Sequence, residues 1–180
     1  MKPFIAPATL GASRQQTPFL SSNITLRSLS NRKMTADKIK AHVLVIIQLG
    51  CIIYIFASGS PLANRPPLLL LQIAGIAIGI WAFIAMGIGN VNISPLVKQG
   101  AVLVTRGPYR LIRHPMYLAV LLVIWPLIID QSSLPRITAG FVLTADLIIK
   151  ILFEESLLKK HFSEYKTYVK TTNRLIPGIF

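Results

Sequence analysis

The chain has 180 residues, 53% of them hydrophobic and 14% charged, with a net charge of +13 and a mean hydropathy of +0.60. Water-soluble domains carry about 25% charged residues, so too little polar surface remains for a globule in water, and lipid is the expected solvent. The positive charge lies between apolar runs and forms no stripe with interleaved aromatics, which argues against nucleic acid as a partner, and the lone Cys51 excludes an internal disulfide.

Residues 1–40 read as a separate segment. Up to Met34 there is no acidic residue, while Lys2, Arg14, Arg27, Arg32 and Lys33 are basic and serine is frequent. That is the composition of an organelle transit peptide; a disordered tail, or an upstream extension with the start at Met34, has the same composition. The domain proper is expected over 41–180. Apolar runs predict helices at about 41–57, 68–89, 111–129 and 137–160, followed by a tail over 161–180. A spanning helix needs about 20 residues. The second run exceeds this, and the third either gains a turn from Leu111 and Ile112 or crosses only part of the bilayer. Gly75, Gly79, Gly87 and Gly89 give the second run a face of small residues suited to close packing. Pro61, Pro66 and Pro67 interrupt the first connection, and the segment from Asp130 to Pro135 makes a tight hairpin of the last two helices.

Basic residues alternate along this pattern. Seven Lys/Arg precede the first run, four lie between the second and third, and six lie within or after the fourth. Only Arg65 and Arg136 occupy the other two connections. Under the positive-inside rule both termini and the 90–114 loop face the cytoplasm or its equivalent. The expected fold is thus all-α: a polytopic membrane bundle of about four transmembrane helices with a C-terminal amphipathic cytosolic helix. The membrane is organellar if residues 1–33 are a transit peptide.

Charged residues at membrane depth carry the chemical information. Asp146, Lys150 and Glu154 are spaced i, i+4, i+8 and share one helical face, with Glu155 beside them. A charge at the bilayer centre costs about 2.5–3.5 kcal/mol on insertion scales, so such groups face a polar site or one another. Arg106, Arg110 and Arg113 are spaced four and three, one face of a helical turn, and His114 precedes Pro115, a suitable first helical residue. Arginines beside a helix N-terminus can hold a carboxylate or phosphate; juxtamembrane arginines also anchor on lipid headgroups. Leu157, Leu158, Phe162, Tyr165 and Tyr168 recur at helical spacing, either as an interfacial helix or as a lid over the cytosolic end. His42, His114 and His161 form no metal-binding pair, so no metal is expected. The non-enzymatic alternatives are a membrane transporter, with Asp146 and Lys150 lining a pathway but without the repeated pair of broken helices that would support it, and a scaffold or assembly factor.

The run Leu103-Val-Thr-Arg-Gly-Pro-Tyr109, then Arg113-His-Pro-Met-Tyr117, Glu154-Glu155, Phe162, Tyr165, Tyr168 and Arg174-Leu-Ile-Pro177 resembles the isoprenylcysteine carboxyl methyltransferase family, itself related to the phospholipid methyltransferases. The likeness covers about residues 86–180. It implies methyl transfer from S-adenosylmethionine to a lipophilic or membrane-associated acceptor: a prenylcysteine carboxylate, a phospholipid, a small thiol or another isoprenoid lipid. The cofactor contacts it implies are Leu103, Val104, Thr105, Tyr109, Arg113, His114, Pro115, Tyr117, Glu154 and Glu155. Lys150 stands where the family has a substrate-linked arginine, and Arg174 matches the arginine of the closing R-x-x-P pattern. Gly87-Ile-Gly89 resembles the GxG of phospholipid methyltransferases. Two departures stand out. Phe162-Ser-Glu-Tyr165 is one residue shorter than the family's pattern and lacks its glycine. Lysine at 150 cannot clamp a carboxylate in the bidentate manner of arginine.

Overall fold

The computed structural model describes the backbone of residues 18–87 and 102–178, with side chains from Met34 onward within those ranges. The chain divides into two units, Met1–Ala36 and Asp37–Phe180. What is described of the first unit is helix. Residues 1–17, Gly89 and Lys98 lie outside the described residues, and with them part of the transit-peptide reading, the second glycine of the GxG and one charge of the 90–114 loop.

The described residues are helical apart from turns, short irregular connections and one isolated bridge. Helix α1 spans Pro18–Ala57, α2 Pro66–Met86, α3 Pro115–Asp130, α4 Leu134–His161 and α5 Tyr165–Thr171, with a 3₁₀ turn at Gly107–Arg110. Among the described residues, two stretches are long and apolar enough to cross a membrane, Met34–Ala57 and Pro66–Met86. Their apolar side chains are largely uncovered by protein: Ile46 of α1 is 69% exposed and Ile84 of α2 68%. Such surface is unfavourable in water and favourable in lipid, and this is a membrane protein. Helix α3 is apolar but has 16 residues, about 24 Å of helix against a hydrocarbon core of about 30 Å. Helix α4 has 28 residues and carries Arg136, Asp146 and Lys150.

Helix bounds depart from the sequence expectation in instructive places. Helix α1 begins well before residue 41, and α2 ends at Met86, where Gly87 takes φ +74°. The third helix does not gain a turn from Leu111 and Ile112. Instead the N–H groups of Arg113 and His114 donate to the carbonyls of Asn173 and Arg174 at 2.8 and 3.0 Å, and Ile112 forms a parallel bridge with Asn173. The backbone of 111–114 is thus held against the tail, and the helix starts at Pro115. The apolar positions expected on one tail helix fall on two: Leu157 and Leu158 belong to α4, Tyr165 and Tyr168 to α5, with extended backbone at Phe162 between them.

Small residues set the tightest contact, as expected for helices packed in lipid. A Cβ on Gly75 of α2 would meet the Leu122 Cβ at 2.8 Å and the Ala119 carbonyl at 3.1 Å, both on α3. The main core joins α1, α3 and α4 through Ile55, Ile124, Leu127, Ile128, Leu143 and Leu147. At one end of this core the buried Arg136 donates from Nη1 to the Ile55 carbonyl and Ser58 Oγ, and from Nη2 to the Leu127 carbonyl. A guanidinium there satisfies carbonyls in the last turns of α1 and α3 and complements their dipoles. Asp130 adds bonds to Asn64 and Arg65 in the α1–α2 connection. The polar site lies at the other end of α3 and α4.

Candidate functional site

Helix α4 brings the paired glutamates to the beginning of α3, because the two helices run in opposite directions from the hairpin at Gln131–Ser133. The C-terminal tail then returns to the same place through its backbone pairing with residues 111–114. Glu155 is the most enclosed member of the cluster, with its side chain 2% exposed. Its Oε1 accepts a 2.8 Å bond from Arg113 Nε, and its Oε2 a 3.2 Å bond from Arg174 Nε. His114 Nε2 stands 3.7 Å from Oε1, beyond hydrogen-bond range. Burial alone would raise the Glu155 pKa. The close approach of His114 and Arg113 and the charges of Arg113 and Arg174 outweigh it and hold the carboxyl at about 2. The Arg113 guanidinium also donates through Nη1 to the Thr172 carbonyl and to Thr172 Oγ1, fixing the tail.

Glu154 is placed differently. Its side chain is 29% exposed, and its Oε2 accepts a 3.0 Å bond from the Tyr117 hydroxyl and lies 3.7 Å from His114 Nδ1. The His114 and Tyr117 rings stack, 5.5 Å between centroids and 10° between planes. The ammonium of Lys150 lies 5.5 Å from the centroid of the Tyr117 ring and donates to Gln48 Oε1 of α1. Lys150 is 1% exposed and Asp146, one turn deeper, 3%.

Phenols complete the surroundings. Tyr168 donates to the Tyr109 carbonyl at 2.5 Å. The Tyr109 and Tyr165 hydroxyls and His114 Nε2 are buried with no hydrogen-bond partner among the described residues. Burial first, then the negative charge of Glu154, pushes the Tyr109 phenol up; burial and then Glu155 do the same for Tyr165, against the opposing charge of Arg113. Burial raises Tyr168 to about 12, with Arg113 opposing. All three phenols therefore keep their protons at neutral pH.

Of the residues singled out in the sequence, Arg113, His114, Tyr117, Lys150, Glu154, Glu155 and Arg174 are joined by these contacts, and Pro115 opens the helix under them. Tyr109 reaches the cluster through Tyr168. Val104 packs with Met86 and Met116 against Ala82, Ala85 and Tyr109; Leu103 is half-buried and Thr105 exposed. The expectation that Arg106, Arg110 and Arg113 share one face is corrected. The backbone turns through 3₁₀ at Gly107–Arg110 and then pairs with the tail, so Arg106 donates back to the Ala85 carbonyl at 3.2 Å, Arg110 is exposed, and Arg113 alone turns inward. Gly107 permits this turn: its φ is +60°, and a Cβ there would meet Ala85 at 2.9 Å. Sequence reasoning missed Gln48 as a partner of Lys150. Its signal was a polar amide inside an otherwise apolar run.

The arrangement offers a partly exposed carboxylate at Glu154, a guanidinium at Arg174 with 31% of its side chain exposed, and buried phenol and imidazole groups with capacity to spare. It can bind a ligand that both donates and accepts hydrogen bonds. No curated protein matches the chain. A family model described as phospholipid methyltransferase matches residues 68–165, more than half of the chain, from α2 through α3 and α4 to the first residue of α5. The glutamate cluster, the His-Pro turn and most of the helices that carry them lie inside that match, and the chain belongs to the phospholipid methyltransferase family.

Proposed function

We propose that this protein transfers a methyl group from S-adenosylmethionine to a lipophilic acceptor held in the membrane. The observation that carries the reading is the convergence of Arg113-His114, Glu154-Glu155 and Arg174 on one spot, with the Tyr109 and Tyr165 hydroxyls and His114 Nε2 buried there without partners among the described residues. Buried polar atoms in folded proteins are nearly always satisfied, so these orphans mark groups that a ligand completes. They fit the cofactor's chemistry. Glu154 can accept from an ammonium or ribose hydroxyl, Arg174 can hold a carboxylate, and the phenols and imidazole can bond hydroxyls and ring nitrogens. When bound, the cofactor supplies a methyl group on a sulfonium, which departs leaving the C–S electron pair on sulfur. The protein's residues need to bind, orient and exclude water rather than move many protons.

Within this reading the neighbouring glutamates divide the work. Glu155, with both oxygens taken by arginines, positions Arg113 and the tail; Glu154 faces the cofactor. Leu103, Val104, Thr105, Pro115 and Tyr117 supply the remaining cofactor contacts, and Lys150 lies toward the acceptor. Four spans, with both termini and the 90–114 loop on the cytoplasm-equivalent side, let the acceptor enter from lipid and the cofactor from water. An isoprenylcysteine carboxylate held by Lys150 and a phospholipid amine are the two acceptors that the residue types favour.

Equilibrium dialysis of the full chain in detergent against radiolabelled S-adenosylmethionine tests the proposal. Saturable binding is expected, and membranes given the labelled cofactor should place label in the lipid extract. Absence of saturable binding overturns the enzyme reading.

A further inference from the structure

The outer surface of the C-terminal segment is strongly basic. Lys166 and Lys170 are spaced four apart on α5 and share an exposed face, while Tyr165 of the same helix is 1% exposed and turned inward. Lys159 and Lys160 in the last turn of α4 and Arg110 in the 3₁₀ turn are exposed as well. Among the described residues none of these cations is in an ion pair, and Glu164 is the only exposed acid of the segment 156–178. Clustered charge of one sign repels itself, and anions that cover it relieve the cost. Apolar side chains are uncovered at the same place. Leu111 is 60% exposed and Ile176 45%, on either side of the 3.2 Å bond from the Asn173 N–H to the Leu111 carbonyl. That pairing sets the tail at the level where the apolar helix α3 begins. Cations mixed with exposed apolar groups at the end of a membrane bundle suit an anionic bilayer interface, where headgroups answer the charge and the acyl boundary takes the apolar side chains. A nucleic acid would answer the charge and leave the apolar side chains in water.

We propose that this surface docks on anionic lipid headgroups, and that the charge of the membrane thereby holds the C-terminal segment closed over the Glu154 end of the bundle. Helix α5 has seven residues, fewer than the about 12–15 at which an isolated helix is marginal in water, so it keeps its shape only where it is docked. From inside it is held by the buried Tyr165, by the bond from Tyr168 to the Tyr109 carbonyl and, through Thr172, by Arg113. Anionic lipid adds a hold from outside on the same segment that carries Arg174 to Glu155. The docking stands on this surface by itself; its consequence for S-adenosylmethionine rests on the methyltransferase reading.

The test uses the full chain with Cys51→Ala and Thr167→Cys, labelled with bimane at this exposed position of α5. It is reconstituted in phosphatidylcholine vesicles that hold a fixed fraction of brominated phosphatidylcholine, with or without phosphatidylglycerol. Phosphatidylglycerol should increase quenching of bimane by the bromines, and high salt should reverse the increase. The double substitution Lys166→Gln with Lys170→Gln should abolish most of it, since each lysine near such a surface is worth about fivefold in binding. Dialysis against radiolabelled S-adenosylmethionine in the same vesicles reads the consequence. Wild type should bind about tenfold more tightly with phosphatidylglycerol than without. The double variant should match wild type in neutral vesicles and keep only the about threefold gain that an anionic surface gives any monovalent cation by raising its local concentration. Equal quenching with and without phosphatidylglycerol overturns the docking and leaves an acidic protein as the partner that this charge fits. An increase undiminished by the double substitution overturns it too. Docking with the same cofactor gain in wild type and variant overturns the closure. Absence of cofactor binding in every vesicle removes the methyltransferase reading, and quenching then decides the docking alone.

Discussion

Glu154 and Glu155 are adjacent in sequence, yet their surroundings assign them different consequences. Glu155→Ala would leave the Arg113 guanidinium, 6% exposed, without its carboxylate. Breaking a buried pair in this way costs about 3–5 kcal/mol, so a marked fall in the unfolding midpoint in detergent is expected. Glu154→Ala removes a partly exposed carboxylate that accepts a hydrogen bond from Tyr117. It should lower affinity for S-adenosylmethionine about tenfold or more with the midpoint little changed. Dialysis and thermal unfolding on both variants check the contrast, and equal effects on stability would remove it. Glu155 also sets a pH dependence. It lies just past the apolar run that ends at Phe153, and its carboxyl is held at about 2 against an ordinary 4.5. The folded protein binds this proton less readily than the unfolded chain. Its stabilisation is therefore fully present above pH 4.5 and is lost as pH falls through about 2. The midpoint should drop over that window in the wild type and less steeply in Glu155→Gln.

At the level of elements, the glycines of α1 and α2 make opposite demands. Gly75→Val would drive side-chain atoms into Leu122 and the Ala119 carbonyl, an overpacking that costs about 1–3 kcal/mol. A Cβ on Gly50 meets nothing within 4 Å, so Gly50→Ala should stabilise α1 by about 0.5–1 kcal/mol through lower backbone entropy in the unfolded chain. Thermal unfolding of the two variants in detergent decides, and a reversed order would contradict the α2–α3 contact. The tail is the other element with a clear consequence. Ending the chain after Thr171 strips the N–H groups of Arg113 and His114 of their carbonyl partners and removes Arg174 from Glu155. Saturable cofactor binding should then disappear while helical circular dichroism stays close to wild type. Retained binding would show that the tail only decorates the site.

For the whole molecule, the arrangement of charge predicts sidedness. In a Cys51→Ala background, single cysteines at Arg110 and Lys160 should react with a membrane-impermeant maleimide from one side of sealed vesicles, and a cysteine at Arg65 from the other. Labelling of all three from the same side would contradict four spans. The lipid solvent and the all-helical character were legible from composition alone, because apolar content and run length are properties of the chain and not of its packing. So was the polar face of α4, since a spacing of four residues fixes an angular position on any helix.

Partnership was not legible, and here the tertiary structure decided. The bond from Arg113 to Glu155 spans 42 residues and that from Lys150 to Gln48 spans 102. No local spacing encodes either. The three arginines of 106–113 are equivalent in sequence, and only the pairing of 111–114 with the tail turns one of them inward. Sequence thus determined which solvent surrounds the helices and which residues share a face. Whether a charged group on that face is clasped, half-exposed or left without a donor depended on which distant backbone came to lie against it, because burial and hydrogen bonding are properties of contact.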